Sequence, residues 1–147
     1  MPPVNSNPRC WPPLPTRKIS ETLVDFADPV TRHLPRNVEP ERLERQLGLA
    51  VAVWNAMVLD EWGSEGSEGS GQLAKHRAAL EVLDEPNRSF GLMWFDRLVK
   101  RKRKRKFRGD LRAIGSLSVS ADPSGRDLRI RADARLSTEL RQHYGLD

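Results

Sequence analysis

Residues 47–59 form an almost uninterrupted apolar stretch, and this stretch constrains the fold more than any other part of the chain. Only Gly48 and Asn55 interrupt it. It is shorter than the roughly 18 apolar residues of a membrane span, and a helix that is apolar on nearly all sides has to be buried. The sequence therefore predicts a central helix, beginning near Pro40 and ending before Gly63, around which the rest of the chain packs.

Helical spacing of apolar residues predicts further helices on both sides of the central one. The first is expected to begin at Ser20, a residue type that caps helices. Pro29 either kinks this helix or lies in the first turn of a second short helix capped by Asp28. The remaining helices are predicted over residues 72–83, 87–99 and 137–144.

Near the C-terminus the pattern changes to an alternation of apolar residues with mostly polar ones. Apolar and polar residues alternate over residues 111–121, with Gly115 in the inward-facing set, and again over residues 128–134. Between these two runs, residues 122–125 read Asp-Pro-Ser-Gly, which is a turn sequence. We expect an antiparallel hairpin at residues 111–135, packed on the helices because an isolated two-stranded hairpin is only marginally stable.

Two segments are predicted to contribute little to the core. Residues 1–18 hold six of the eleven prolines, and a disordered Pro-rich tail is expected there. Residues 63–71 contain only Gly, Ser and Glu, the composition of a flexible linker. The predicted fold class is mainly α (α+β): a single helical domain over residues 19–147, with four to five helices around the buried central helix and a C-terminal β-hairpin.

Cysteine use and hydropathy restrict the setting of the protein. Cys10 is the one cysteine, so no intramolecular disulfide can form and nothing indicates an oxidising compartment. The N-terminus lacks the basic and apolar regions of a signal peptide, and no stretch is long enough to span a membrane. We expect a cytoplasmic protein, or a nuclear one in a eukaryote, with no membrane partner.

Residues 100–106 are seven consecutive basic residues, and Arg108 adds an eighth. The whole chain has a net charge of only +5, so the positive charge is local. A local positive field predicts a polyanionic partner, either nucleic acid (RNA or non-specific DNA) or an acidic protein surface. Alternating Lys and Arg offers no single reading face, so contacts with phosphates are expected. The predicted nucleic-acid-binding residues are Lys100, Arg101, Lys102, Arg103, Lys104, Arg105, Lys106, Arg108, Arg129 and Arg131, with Arg112 as a further candidate.

Charge repulsion acts on this stretch if it continues the preceding helix. Residues 100–106 contain seven like-charge pairs at three- or four-residue spacing. Such pairs oppose helix formation by roughly 1.5–3.5 kcal/mol in total, and the negative end of the helix offsets only about 0.3–1 kcal/mol. We therefore expect a frayed end that a polyanion orders.

Three other residues are candidates for ligand contact. Phe107 has only charged neighbours and is the candidate for base stacking; the alternative is that it anchors the loop before Leu111. Trp54 and Asn55 are a possible pocket on the central helix, although Asn55 can equally be a core amide that is satisfied by hydrogen bonds. Trp94 and Phe95, before the basic stretch, would be further stacking residues if they were exposed, but their apolar neighbours favour core packing.

No linear pattern indicates catalysis. His33, His76 and His143 are far apart without metal-ligand spacing, and no Gly-rich loop joins a strand to a helix. We predict no catalytic residue, metal or cofactor, and a non-enzymatic nucleic-acid-binding protein with little sequence specificity. The alternatives are a protein–protein interaction module or small oligomeric protein, and a small enzyme whose site is assembled only in space.

Overall fold

The computed structural model describes residues 12–62, 71–125 and 127–146. Within these ranges the chain forms seven helices and one two-stranded antiparallel sheet. This mainly helical architecture with a C-terminal hairpin agrees with the prediction. In chain order the elements are α1 Ile19–Phe26, α2 Asp28–Thr31, α3 Pro40–Trp62, α4 Gln72–Glu81, α5 Asn87–Lys102, α6 Arg105–Arg108, β1 Ala113–Ala121, β2 Leu128–Arg135 and α7 Thr138–His143.

The helix α3 is central, and it contacts α1, α2, α4, α5 and β1. Leu47, Val53, Trp54 and Val58 on this helix are each at most 2% exposed. Leu49 is 42% exposed, so one side of the apolar stretch faces solvent. None of the helices in the described ranges is long and apolar enough to cross a membrane.

Short helices account for most of the difference from the predicted set. α2 has Pro29 in its first turn, which is one of the two predicted alternatives, although Ala27 and not Asp28 precedes it as the cap. α6 was not expected: the prediction ends the preceding helix near Val99 and considers only its continuation into the basic stretch, whereas α5 reaches Lys102, the chain turns at residues 103–104 and a separate short helix follows. α1 begins at Ile19, one residue before the predicted start, without a side-chain cap.

Three aromatic rings join the helices at the centre of the core. The centroid of the Phe26 ring in α1 lies 5.1 Å from that of Trp54 in α3 and 5.5 Å from that of Phe107 in α6. Trp54 and Phe107 are 6.2 Å apart, and all three pairs meet edge to face. Edge-to-face contact is a favoured geometry for aromatic pairs and stabilises them beyond simple area burial. These rings therefore fix α6 against α1 and α3.

The hairpin pairs β1 with β2 along their length and packs on α3 and α1. Its turn lies at residues 122–125, as predicted, and Gly125 has a φ of +71°, which an L side chain rarely adopts. The prediction that Gly115 faces inward is wrong, since this residue is exposed. A bulge between Ile114 and Ser116 interrupts the alternation, because an extra residue in one strand changes which face the following side chains occupy.

The N-terminal segment follows the surface near the end of the chain. Residues 12–18 contain no helix or strand, and the Tyr144 hydroxyl donates a hydrogen bond to the Pro12 carbonyl. The rest of the predicted disordered tail, residues 1–11, lies outside the described residues. So do residues 63–70 of the predicted flexible linker.

Candidate functional site

The basic stretch forms a corner between α5 and α6. α5 ends at Lys102, the backbone turns at Arg103, and Lys104 is extended (φ −67°, ψ 149°) before α6 begins. The turn interrupts the row of like charges that would face one another on a continuous helix. The stretch is therefore a helix end, a turn and a four-residue helix, instead of the single helix for which fraying is expected.

Lys102 is inside the protein and is not placed to bind a phosphate. Its side chain is buried, and Nζ donates hydrogen bonds to the carbonyls of Phe107 (2.7 Å) and Asp110 (2.9 Å). Nζ also lies 4.3 Å from the centroid of the Trp54 ring. Burial lowers the pKa of Lys102 to about 8, although the negative charges of Asp110 and Glu61 act to raise it. This lysine holds α6 and the following loop to the end of α5.

Arg101 is also occupied within the fold. Its Nε donates to the carbonyl of Phe26 at 2.9 Å, and Nη2 donates to the carbonyl of Asp25 at 2.8 Å. These carbonyls belong to the last turn of α1, where intrahelical partners are missing and a positive charge is favourable. The guanidinium carbon lies 5.2 Å from the Phe107 ring centroid. Arg101 thus joins the C-terminus of α1 to the corner.

A single carboxylate, Asp25, neutralises part of the corner. It forms an ion pair with Lys106, a second with Arg17 at 2.9 Å and a longer one with Arg101 at 3.5 Å. The hydrogen bond from Lys106 is the largest cause of the lowered pKa of Asp25, and Arg17 contributes further. The Lys106 side chain remains 60% exposed. Asp25 therefore fixes the ammonium group of Lys106 but leaves most of this side chain exposed.

Six of the eight basic residues remain exposed, and we call them the basic corner. Five of these six form no ion pair with any residue in the described part of the chain; Lys106 is the exception. They extend over the last turn of α5, the turn and α6. The members of the basic corner are Lys100, Arg103, Lys104, Arg105, Lys106 and Arg108.

A groove of about 280 Å³ lies between the basic corner and the end of α3. Arg103 and Arg108 line one side, and Asp60 and Glu61 line the other. The Asp60 carboxylate accepts hydrogen bonds from the first two backbone N–H groups of α4, at 2.6 and 3.0 Å. The groove therefore has mixed charge, and the outer surface of the corner is the more favourable place for an anion.

Phe107, the predicted stacking residue, is in the core. It is 2% exposed, and its ring packs against Phe26 and Trp54. No face of this ring is accessible to a base. The alternative prediction, in which Phe107 anchors the chain before Leu111, describes its position in the structure.

Trp54 and Asn55, the predicted pocket, both bond to the start of β1. Trp54 is fully buried and its Nε1 donates to the Arg112 carbonyl at 2.6 Å. The Asn55 amide donates to the Ile114 carbonyl at 2.8 Å and accepts from the Ile114 N–H at 2.7 Å. These side chains join α3 to the hairpin, and the Asn55 amide is bonded through both its nitrogen and its oxygen, which corresponds to the structural alternative for Asn55.

Of the three predicted binding arginines after the basic corner, Arg112 is buried, whereas Arg129 and Arg131 are exposed. Arg112 is 7% exposed and forms two hydrogen bonds to Asp110, at 2.9 and 2.7 Å, so it is committed to a buried ion pair. Arg129 and Arg131 are exposed on β2. They alternate with the residues that pack toward α1, and their side chains leave the hairpin on its other face. They form a separate basic area.

Sequence reasoning favoured the core for Trp94 and missed the exposed set on α5 to which this residue belongs. Phe90 is 60% exposed, Trp94 is half-buried, and the guanidinium carbon of Arg97 lies 5.3 Å from the centroid of the Trp94 ring. The spacing of four and three residues, continuing to Lys100, is the signal that could have identified one side of a helix. Phe95, by contrast, is buried as expected.

The three histidines lie in different parts of the structure. Their rings contact Trp94, Phe95 and Tyr144 respectively. Burial lowers the pKa of His76. Within residues 12–62, 71–125 and 127–146, no three His, Cys, Asp or Glu residues come together in a way that could hold a metal ion.

No known protein family, curated protein or solved structure matches the chain. A proposal for its function therefore depends on the arrangement of its own side chains.

Proposed function

We propose that the protein is a non-enzymatic nucleic-acid-binding protein whose basic corner contacts phosphates. The observation that carries this proposal is that five exposed cations within nine positions form no ion pair in the described part of the chain. Clustered cations repel one another, and a polyphosphate removes that repulsion and releases its own counterions. The proposed site of action is the cytoplasm, or the nucleus of a eukaryotic cell.

The internal contacts of the stretch support this proposal by holding the cations in place. Lys102 bonds two carbonyls of the α6 loop, Arg101 bonds the end of α1, and Phe107 packs in the aromatic centre. The backbone that carries the exposed cations is therefore ordered before any ligand binds. Less conformational entropy is lost on binding when the contacting groups are already in position.

The shape of the corner favours phosphate contact over sequence reading. Its six cations come from a helix end, a turn and a four-residue helix, so they point in several directions. Reading base edges in the major groove requires an element that places several side chains along the groove. We therefore propose binding with little sequence specificity.

An acidic protein surface is the second candidate, because it can form ion pairs with the same cations. Competition distinguishes the two partners. If nucleic acid is not a ligand of the basic corner, an excess of bulk nucleic acid is expected to leave an acidic protein partner bound. If nucleic acid is a ligand of the corner, the same excess is expected to displace that partner.

The test removes the five unpaired charges together. In a variant with Lys100, Arg103, Lys104, Arg105 and Arg108 changed to Gln, we expect binding of fluorescent nucleic acid at low salt to be lost. For the wild type, neutralising about six phosphates predicts that log affinity falls with log salt at a slope near −5 for duplex and near −4 for a single strand. Fluorescence anisotropy over a salt series measures both quantities.

The matched control removes the same charge elsewhere. Its five positions are also exposed and unpaired within the described residues, namely Arg36, Arg42, Arg45, Lys75 and Arg135, each changed to Gln. This control is expected to keep the wild-type salt slope. Equal loss in both variants would show a general effect of net charge, and unchanged binding in the first variant would contradict the proposal.

A further inference from the structure

The exposed side of α5 carries an aromatic and basic stripe that leads to the basic corner. Phe90, Trp94 and Arg97 are four and three positions apart, so they lie on one side of the helix. From Phe90 to Lys100 the helix rises about 15 Å. At the 3.4 Å spacing of stacked nucleotides, this length corresponds to about four nucleotides.

Phe90 is the most exposed aromatic ring of the stripe. It is 60% exposed and has no ring contact with another described residue. The nearest carboxylate in sequence, Glu85, forms an ion pair with Arg88 and accepts a hydrogen bond from Ser89. The aromatic face of Phe90 is therefore open to solvent, and the carboxylate nearest to it in sequence is already paired.

Trp94 and Arg97 form a second contact surface one turn further along. The Trp94 ring is half-buried, with its centroid 6.4 Å from that of His33, so the fold holds it in position. The Arg97 guanidinium carbon lies 5.3 Å from the Trp94 centroid. A planar guanidinium beside an indole ring offers a positive charge and a flat stacking surface together.

We infer that this stripe binds unpaired bases, so that the ligand of the basic corner is single-stranded nucleic acid. The inference rests on the proposed function. Bases in a duplex are stacked and paired, whereas single-strand binding proteins combine a basic track for the backbone with aromatic rings for the bases. Charge complementarity argues for this occupant, because Arg97 and Lys100 extend the positive surface along the exposed rings.

The test compares ligands of the same sequence and length. Binding of single-stranded RNA, single-stranded DNA and duplex DNA of about 12 units is measured by fluorescence anisotropy at fixed salt. We expect the wild type to favour the single strands. Phe90→Ala is expected to weaken single-strand binding about tenfold, the effect of losing one stacked base, and to leave duplex binding unchanged.

Conservative variants separate stacking from other apolar contact. Phe90→Tyr keeps an aromatic ring and is expected to retain wild-type affinity, whereas Phe90→Leu keeps apolar area without a ring and is expected to lose affinity as Phe90→Ala does. Val82→Ala is the surface control, because Val82 is an 82% exposed apolar residue outside the stripe. It is expected to bind as the wild type does.

Equal affinity of the wild type for duplex and single strand, or wild-type affinity of Phe90→Leu, would overturn this inference while leaving the phosphate-binding proposal standing. Loss of all nucleic-acid binding in the five-charge variant, together with normal binding by Phe90→Ala, would overturn it in the same way. If the wild type binds none of the three ligands, the proposed function itself fails. The substituted positions are exposed, and thermal unfolding checks that each variant is folded.

Discussion

Lys102 differs from its neighbours because its charge lies inside the protein. The side chain is 4% exposed, and Nζ donates to the carbonyls of Phe107 and Asp110. Removing an ammonium group from water is costly, and only hydrogen bonds or opposite charges offset that cost. Burial is the main reason why the pKa of Lys102 falls from 10.5 to about 8.

We predict that Lys102→Met changes how stability depends on pH. Between about pH 8 and pH 10.5, Lys102 is protonated in the unfolded chain and neutral in the folded protein, so the unfolded state binds more protons. The free energy of unfolding of the wild type should therefore rise relative to that of the variant across this window. The slope is up to about 1.4 kcal/mol per pH unit, and the difference is constant at lower pH.

Urea unfolding at a series of pH values measures this difference. Lys104→Met serves as the control for the same substitution at an exposed lysine. If the difference in free energy of unfolding between the wild type and Lys102→Met stays constant up to about pH 10, then Lys102 keeps its ordinary pKa.

Between elements, α3 holds the beginning of the hairpin through side chains. Trp54 donates to the Arg112 carbonyl and Trp62 to the Leu111 carbonyl, while Asn55 pairs with both backbone groups of Ile114. These bonds satisfy backbone groups that have no strand partner on that side. A two-stranded sheet is marginal alone, so this joint stabilises it.

We predict that Asn55→Ala lowers the free energy of unfolding by about 2–4 kcal/mol, because it leaves the Ile114 N–H and C=O groups without partners. Asn55→Asp should be at least as harmful near neutral pH, since its carboxylate faces the Ile114 carbonyl. The exposed Asn37, changed to Ala, should stay within about 0.5 kcal/mol of the wild type. Urea unfolding checks all three, and a mild effect of Asn55→Ala would show that the joint is not needed.

The end of α1 is joined to the basic corner by Asp25, and this contact limits the available positive charge. We predict that Asp25→Asn raises affinity for nucleic acid about 1.5- to 5-fold at low salt, because Lys106 is released from its ion pair. In the wild type Lys106 shares its charge with Asp25, so the salt slope should become steeper by at most about 0.7–0.9, the contribution of one full phosphate contact. Anisotropy over a salt series measures both changes.

Asp28→Asn is the matched control for this prediction. Asp28 pairs with Arg32 at 2.5 Å and has no ion pair with the basic corner in the described residues. The Asp28→Asn substitution removes one negative charge, as Asp25→Asn does, without releasing Lys106 from its ion pair. Equal gains in the two variants would show that net charge, and not the release of Lys106, determines affinity.

At the scale of the whole molecule, local patterns predicted the elements well. The apolar stretch of α3 and the turn at residues 122–125 depend on nearest neighbours in sequence, and both appear where expected. Arg129 and Arg131 of β2 are exposed, as alternation predicts. The bulge at Gly115 escaped prediction because it is a property of strand pairing.

Long-range contacts explain why the candidate site was only partly predictable. Lys102 and Phe107 lie in a charged stretch, and nothing in that stretch shows that Trp54 is packed against both. Phe90 begins a segment that continues with Leu92, Met93 and Trp94, yet the fold leaves it exposed. Composition identifies a stretch of positive charge, but burial of its individual members depends on residues about fifty positions away.

Two of the eight basic side chains of this stretch are withdrawn from the surface as α6 docks onto the aromatic centre. The number of cations that this part of the surface exposes is therefore set only when the chain folds. A polymer that meets the native protein finds six anchored cations, whereas the same polymer on an unfolded chain would find eight mobile ones. The charge that this surface presents is a consequence of tertiary structure, even though the amino-acid composition is the same in both states.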